Sequence, residues 1–164
     1  MPPLTVRQFP DPILRRISEP ISKSDSKLRA LVNRLIETMG CQSGGIGIAA
    51  PQIGIPQRVA IVDVSSKISG AKLIVLINPV IIGFFDENIF REGCMSLPDF
   101  TANVKRAEKV KVKFQDINLE SKEIAASGLE ARCIQHEIDH LNGLLFVDRV
   151  VSLKSDVFRR RRYL

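Results

Sequence analysis

Ser127-Gly-Leu-Glu-Ala-Arg-Cys-Ile-Gln-His-Glu-Ile-Asp-His-Leu-Asn-Gly143 is the stretch on which the fold of this chain turns. It carries its own start and stop. Ser127-Gly-Leu-Glu130 is a capping-box pattern, and Asn142-Gly143 is a C-terminal stop. Between them, Leu129, Cys133, Ile134, Ile138 and Leu141 supply apolar lining. His136 and His140 stand four apart, so both project from one face, one turn above the other. The chain holds 2 histidines in all, and both fall here. Two imidazoles on a helix lined by apolar residues need a polar reason to be there. A buried helix with other elements wrapped around it is therefore expected.

The segments on the N-terminal side of this helix show what wraps it. Asp11-Pro12 is a cap-plus-first-position signal for a short helix carrying Ile13, Leu14 and Ile17. Leu28, Leu31, Val32, Leu35 and Met39 recur at helical spacing and predict a helix from about Ser24 to Met39. Gly44-Gly45-Ile-Gly47 then breaks it. Arg58 to Val64 and Leu73 to Ile77 are β-branched runs that read as buried strands, and Val80 to Phe85 follows after Asn78-Pro79. Lys109 to Phe114 alternates with period two, the mark of a strand with one wet face. A last helix is expected over about Ser152 to Tyr163. Helices, then strands, then helices indicate an α+β fold. Mostly antiparallel sheets would pack around a central metal-binding helix, with a C-terminal helix closing the chain.

Length and composition agree. The 164 residues carry 45% hydrophobic and 26% charged side chains, with no repeat or long linker, so residues 1–164 are expected to form a single domain. The longest apolar stretch, Leu73 to Ile82, is broken by Asn78-Pro79 and falls short of the ~20 residues of a spanning helix. No apolar block with a small-residue cleavage site follows Met1, so no secretory signal is expected. The 3 cysteines are too few for a disulfide framework, which favours a reducing, cytoplasmic setting. Neither DNA nor membrane is an expected partner. Net charge is +6, of which +5 sits between Arg149 and Leu164. That run reads either as a solvated helix end or as a patch for polyanion such as ribosomal RNA.

The chemistry starts from His136-Glu137-Ile138-Asp139-His140. Both imidazoles can reach one metal ion, and Glu137 leans toward it without a ligand position, where a base for an activated water belongs. The plainer alternative is a polar helix face that happens to read this way. A catalytic site of this kind takes three protein ligands. Cys133 lies on the same face, yet ~10 Å of rise separates it from His140, which demands a nearly straight angle at the ion. It reads as a packed thiol, and Cys41 as an ordinary small apolar residue. Cys94 sits in Arg91-Glu-Gly-Cys-Met-Ser-Leu-Pro98, where Gly93 frees the backbone and Pro98 ends strand pairing, and it competes with the carboxylates for third ligand. Gly45-Ile-Gly47-Ile-Ala-Ala-Pro-Gln52 lacks the spacing of a phosphate loop. Its glycines mark a place where another chain approaches closely, and Gln52 offers an amide donor to a developing oxyanion.

Gly45 to Gln52, Glu92-Gly-Cys-Met-Ser96 and Gln135-His-Glu-Ile-Asp-His140, in that order, closely resemble the three signature motifs of the peptide deformylase family. The resemblance runs from Phe9-Pro-Asp-Pro-Ile-Leu-Arg15 to Leu144-Leu-Phe-Val-Asp148. It implies Cys94, His136 and His140 as ligands of one divalent ion, ferrous iron first, with zinc, nickel or cobalt as substitutes. It implies Glu137 as the base, and Gln52 with the Met95 N–H as the oxyanion donors. The implied substrate is the N-formyl-methionyl end of a nascent chain, lying along Gly45, Ile46, Gly47, Glu92 and Gly93. Its methionine pocket would be lined by Ile46, Phe90, Leu129, Cys133 and His136. Two departures stand out: Met95 replaces a common leucine, and Thr101 stands where relatives often carry a large Arg or Tyr near the substrate backbone. All the implied catalytic residues precede position 141, so the basic tail is expected to be dispensable for turnover of short peptides. The rival readings are a zinc peptidase using the same helix and a basic RNA-binding module with a structural metal.

Overall fold

The computed structural model describes residues 2–161. Its centre is a sheet of six strands: β1 (Gly47–Ala49), β2 (Val59–Val62), β3 (Ile74–Cys94), β4 (Leu97–Gln115), β5 (Ser121–Ser127) and β6 (Val157–Arg159). Every neighbouring pair is antiparallel. The order is β1-β2-β3-β4-β5, with β6 added to β4. Two helices complete the described residues, α1 (Ser26–Gly40) and α2 (Gly128–Leu141).

All four residues of β2 are buried, and the two helices explain why. Val59 and Ile61 point to one side and pack with Leu28, Leu31, Val32, Leu35 and Met39 of α1. Val62 points to the other side, toward Ala131, Cys133, Ile134 and Ile138 of α2. A strand covered on both faces reads as a continuous apolar run because period-two alternation has no wet face to report. Each fully buried aliphatic side chain in these clusters contributes roughly 1.5–3 kcal/mol.

The expected strands over 73–77 and 80–85 are one strand. Asn78-Pro79 makes a bulge in β3, because Asn78 takes a positive φ of 49° and ties itself into the structure. Its side chain accepts from Ile21 N at 2.8 Å and donates to Ile21 O at 2.8 Å and Gln115 Oε1 at 2.7 Å. A proline at a bulge costs no ladder bond. Pro98 likewise stands at the start of β4 and does not stop pairing. The Asp11-Pro12 signal produces a 3₁₀ turn over Pro12–Arg15, which buries Leu14 and leaves Ile17 exposed.

Helix α2 starts and stops where its sequence indicates, but not by a capping box. Ser127 ends β5, paired with Lys109, and makes no side-chain cap bond; the chain enters the helix through Gly128 at φ 60°. The α+β class with a central helix holds. The expected helix over 152–163 does not form among the described residues. Ser152 and Asp156 close a turn on each other, and Val157–Arg159 pairs with Phe100–Ala102 of β4. A β-branched and an aromatic residue beside a free stretch of β4 gain strand pairing that local helix propensity cannot match. Arg162 and Tyr163 lie outside the described residues. No helix among the described residues is long and apolar enough to cross a membrane.

Candidate active site

The turn joining β3 to β4 puts Cys94 over the C-terminal half of α2. Cys94 Sγ lies 3.3 Å from His140 Nε2, and one ligand atom each from Cys94, His136 and His140 fall within 4.8 Å of one another. All three residues are enclosed by the protein. A thiolate and an imidazole bound tetrahedrally to one ion, at ~2.3 and ~2.1 Å, stand ~3.6 Å apart, so this donor set fits a divalent transition metal. Burial alone would raise the Cys94 thiol, but the two histidines beside it hold it well below its ordinary value. A stabilised thiolate is the form that ligates.

A line of charges behind His136 orients it. His136 Nδ1 lies 3.0 Å from Glu92 Oε2, leaving Nε2 to face the cluster. Glu92 is clasped in turn by Arg106, whose Nη2 donates to Glu92 Oε2 at 3.0 Å and whose Nη1 donates to Asp139 Oδ2 at 2.9 Å. Arg149 Nη2 closes the line on Asp139 Oδ1 at 2.8 Å. Burial works to raise the Glu92 carboxyl, yet the contacts with His136 and Arg106 bring it down to about 2. A carboxylate on the far nitrogen of a ligating histidine fixes its tautomer and raises its basicity.

Glu137 is 3% exposed, and burial pushes its carboxyl up to about 7. Its Oε2 has no hydrogen-bond partner among the described residues, nor has His140 Nδ1. Gln52 sits in a 3₁₀ turn over Ala50–Ile53 and is 1% exposed. Its Oε1 accepts from Ala49 N at 2.9 Å, which aims Nε2 at Ser96 Oγ (3.2 Å) and toward Cys94 Sγ (3.7 Å). The glutamine is thus part of the interior, not of a surface turn.

A profile of the polypeptide deformylase family matches residues 3–156. The chain belongs to the polypeptide deformylase family. A peptide deformylase of Thermodesulfovibrio yellowstonii is 45% identical over 158 residues, covering 96% of this chain and 95% of the relative. The crystal structure of a peptide deformylase from Legionella pneumophila superposes with a TM-score of 0.86 at 41% identity, over 93% of this chain and 88% of that one. A class I type b peptide deformylase from Acinetobacter baumannii, in a crystal structure with Met-Ala-Ser bound, gives 0.83 at 38% identity over 90% of this chain and 98% of that one. This chain is accordingly a deformylase, of the family that removes the formyl group from nascent peptides.

In this deformylase a cleft of about 250 Å³ opens onto the Cys/His cluster. Gly45, Ile46, Gly47, Gln52, Glu92, Gly93, Cys94, Met95, Leu129, Cys133, His136 and Glu137 all line it. His140 lies deeper, and Phe90 stands behind Arg132, whose guanidinium lies 3.6 Å above its ring. Gly47 answers a close approach: a Cβ there would come within 2.6 Å of Cys133 Sγ and 2.7 Å of Glu137 Oε1. Cys133 donates to Ile46 O at 3.3 Å, and burial keeps its thiol well above the ordinary value. It is a protonated packing residue outside the Cys94–His136–His140 group, as its spacing on the helix required.

Sequence reasoning missed the Arg106–Asp139–Arg149 line and three cleft arginines, Arg91, Arg132 and Arg160. Asp139 lay in view inside the histidine motif. Nothing local pointed to Arg106 or Arg160, which reach the site only through strand pairing. A larger depression of about 700 Å³, lined by Phe84, Phe85, Arg106 and Asp139 among others, contains none of the three cluster residues.

Proposed function

We propose that this deformylase is a metal-dependent amide hydrolase that frees formate from N-formyl-methionyl peptides, with Cys94, His136 and His140 holding one divalent ion. Ferrous iron is the ion the motif resemblance favours, with zinc, nickel and cobalt as substitutes. The observation that carries the reading is the buried approach of Cys94 to two histidines one helical turn apart, with an unpartnered carboxylate between them in sequence. When bound, the ion supplies Lewis acidity, which acidifies a water and polarises the formyl carbonyl.

The chain's own residues do the rest. Glu137 Oε2 accepts the proton of the attacking water and returns it to the leaving amine as the C–N bond breaks, giving formate and a free N-terminus. Gln52 Nε2 and the Met95 N–H donate to the oxygen that gains charge. The peptide lies extended between Gly45–Gly47 and the end of β3, pairing as an added strand, and side-chain-free glycines keep that approach open. Ile46, Leu129, Cys133 and His136 enclose the methionine side chain, with Phe90 behind them under Arg132. The enzyme would act in the cytoplasm on nascent chains. Contact of the exposed Arg159 and Arg161 with ribosomal RNA is a separate proposal, supported by the +5 charge of the segment from Arg149 on and tested by the salt dependence of ribosome binding.

The deciding experiment compares a formyl-Met peptide with its unformylated twin. Formate release from the first, with no cleavage of the second, is the expected result. Cleavage of both would indicate a peptidase, and inertness to both a non-enzymatic role.

A further inference from the structure

Three arginines face the cleft mouth, and two of them are already engaged. Arg91 donates to Asn103 Oδ1 at 3.0 Å and stacks 3.8 Å from the ring of Phe158. Arg132 covers Phe90 and stands 3.9 Å from Glu108. Arg160 differs. Its backbone is held, since its N–H donates to Asp99 O at 2.8 Å and the preceding residue pairs with Phe100. Its guanidinium has no ion pair or hydrogen bond among the described residues, and it lies across the backbone of Gly93. A Cβ at position 93 would collide with Arg160 Nη2, would lie 3.3 Å from Arg160 Cζ, and would lie 3.6 Å from Thr101 Cγ2. The small side chain of Thr101, paired with Gly93 across the hairpin, and the missing side chain of Gly93 together leave the space this guanidinium fills.

We infer that Arg160, delivered by β6, is a substrate-positioning residue that donates to backbone carbonyls of the peptide downstream of its first residue. The inference rests on the cleft being the peptide site, as proposed above. A planar group with five N–H donors, anchored through its backbone and unpaired at its tip, suits carbonyl acceptors that arrive with an extended chain. It touches neither the Cys/His cluster nor Glu137, so it acts on binding and not on the chemical step. The tail is therefore not expected to be dispensable for short peptides, contrary to the reading of the sequence alone.

The test compares wild type, Arg160→Ala and Arg160→Lys on formyl-Met amide and on a formyl-Met tripeptide, the latter as amide and as free acid. Arg160→Ala should raise KM for the tripeptide amide about tenfold, the worth of one charge-assisted hydrogen bond, with kcat nearly unchanged. Formyl-Met amide should be turned over normally, and Arg160→Lys should recover part of the loss. A KM unchanged on the tripeptide, raised equally on both substrates, or raised only for the free acid would each overturn the inference. Failure of the wild type to release formate from any substrate would instead sink the proposed function.

Discussion

Helix α2 and strand β6 both send charged or ionisable side chains into the same cleft, yet they are built on opposite terms. On the inner face of α2 two ionisable groups are locked into one chain of contacts: His136 leans on Glu92, Glu92 on Arg106, Arg106 on Asp139. Removing one member leaves another uncompensated in a low-dielectric interior. Strand β6 is three residues long, largely exposed, and holds Arg160 by backbone bonds alone. Val157 is half-buried and the ring of Phe158 carries the Arg91 guanidinium, while that of Arg160 is unpaired among the described residues. The helix is thus committed to one chemistry, whereas the strand can change its cargo at little cost to the fold.

Substitutions should divide along that line. Glu137→Gln should keep its metal and lose about 10²–10⁴-fold in turnover, because an amide cannot accept the proton. Metal analysis beside single-turnover kinetics checks it, and a variant keeping a tenth of the wild-type rate removes Glu137 from that role. Cys94→Ala should lose bound metal and activity together, whereas Cys133→Ser should keep metal and pack slightly less well. Equal metal content in Cys94→Ala and wild type would mean that the wrong thiol is assigned.

Arg106→Met tests the charge line itself. It strands Glu92, so it should cost on the order of 3 kcal/mol of stability and roughly 10–100-fold in metal affinity, read by denaturant melts and chelator competition. Loss of stability with unchanged affinity would show that the line braces the fold without orienting His136. On the strand side, Phe158→Ala removes the ring stacked on Arg91 and should cost about 1 kcal/mol or less, with metal content intact.

The smallest effect is expected at Asp148. Burial opposes its ionisation, but bonds from Arg15 and the Leu145 N–H hold its carboxyl below the ordinary value. A carboxyl depressed in the folded state adds stability above its unfolded pKa of ~3.9, and that stability fades as pH falls through the folded value. Asp148→Asn should therefore melt slightly below wild type at neutral pH, with the gap narrowing below about pH 4. A gap that widens in acid would assign the effect to packing.

The features read correctly in advance are those set by local geometry. Residues four apart on a helix share a face wherever the helix goes, so His136 and His140 had to meet, and a seventh-residue spacing had to exclude Cys133. Apolar periodicity in α1 and the double burial of β2 follow from the same counting. Where the sequence misled, a distant partner outweighed a local signal. Asn78-Pro79 reads as a break but is stitched into β3 by Ile21 and Gln115. The residues from Ser152 on read as a helix but find an open length of β4.

What the order of residues determined alone was therefore the helix, its two imidazoles and carboxylate, and the class of chemistry they can perform. Three matters waited on the folded chain: that Cys94 reaches the imidazoles, that Arg106 ties Glu92 to Asp139, and that Arg160 reaches Gly93. They join residues 14 to 67 positions apart, through packing of the β3–β4 hairpin on α2, pairing across that hairpin, or β6 added to its edge. The physical reason is range. Backbone dihedrals and a 3.6-residue repeat act over a turn or two. Contacts between distant segments depend on which of several strand pairings buries the most surface and satisfies the most hydrogen bonds, and that is a property of the whole molecule.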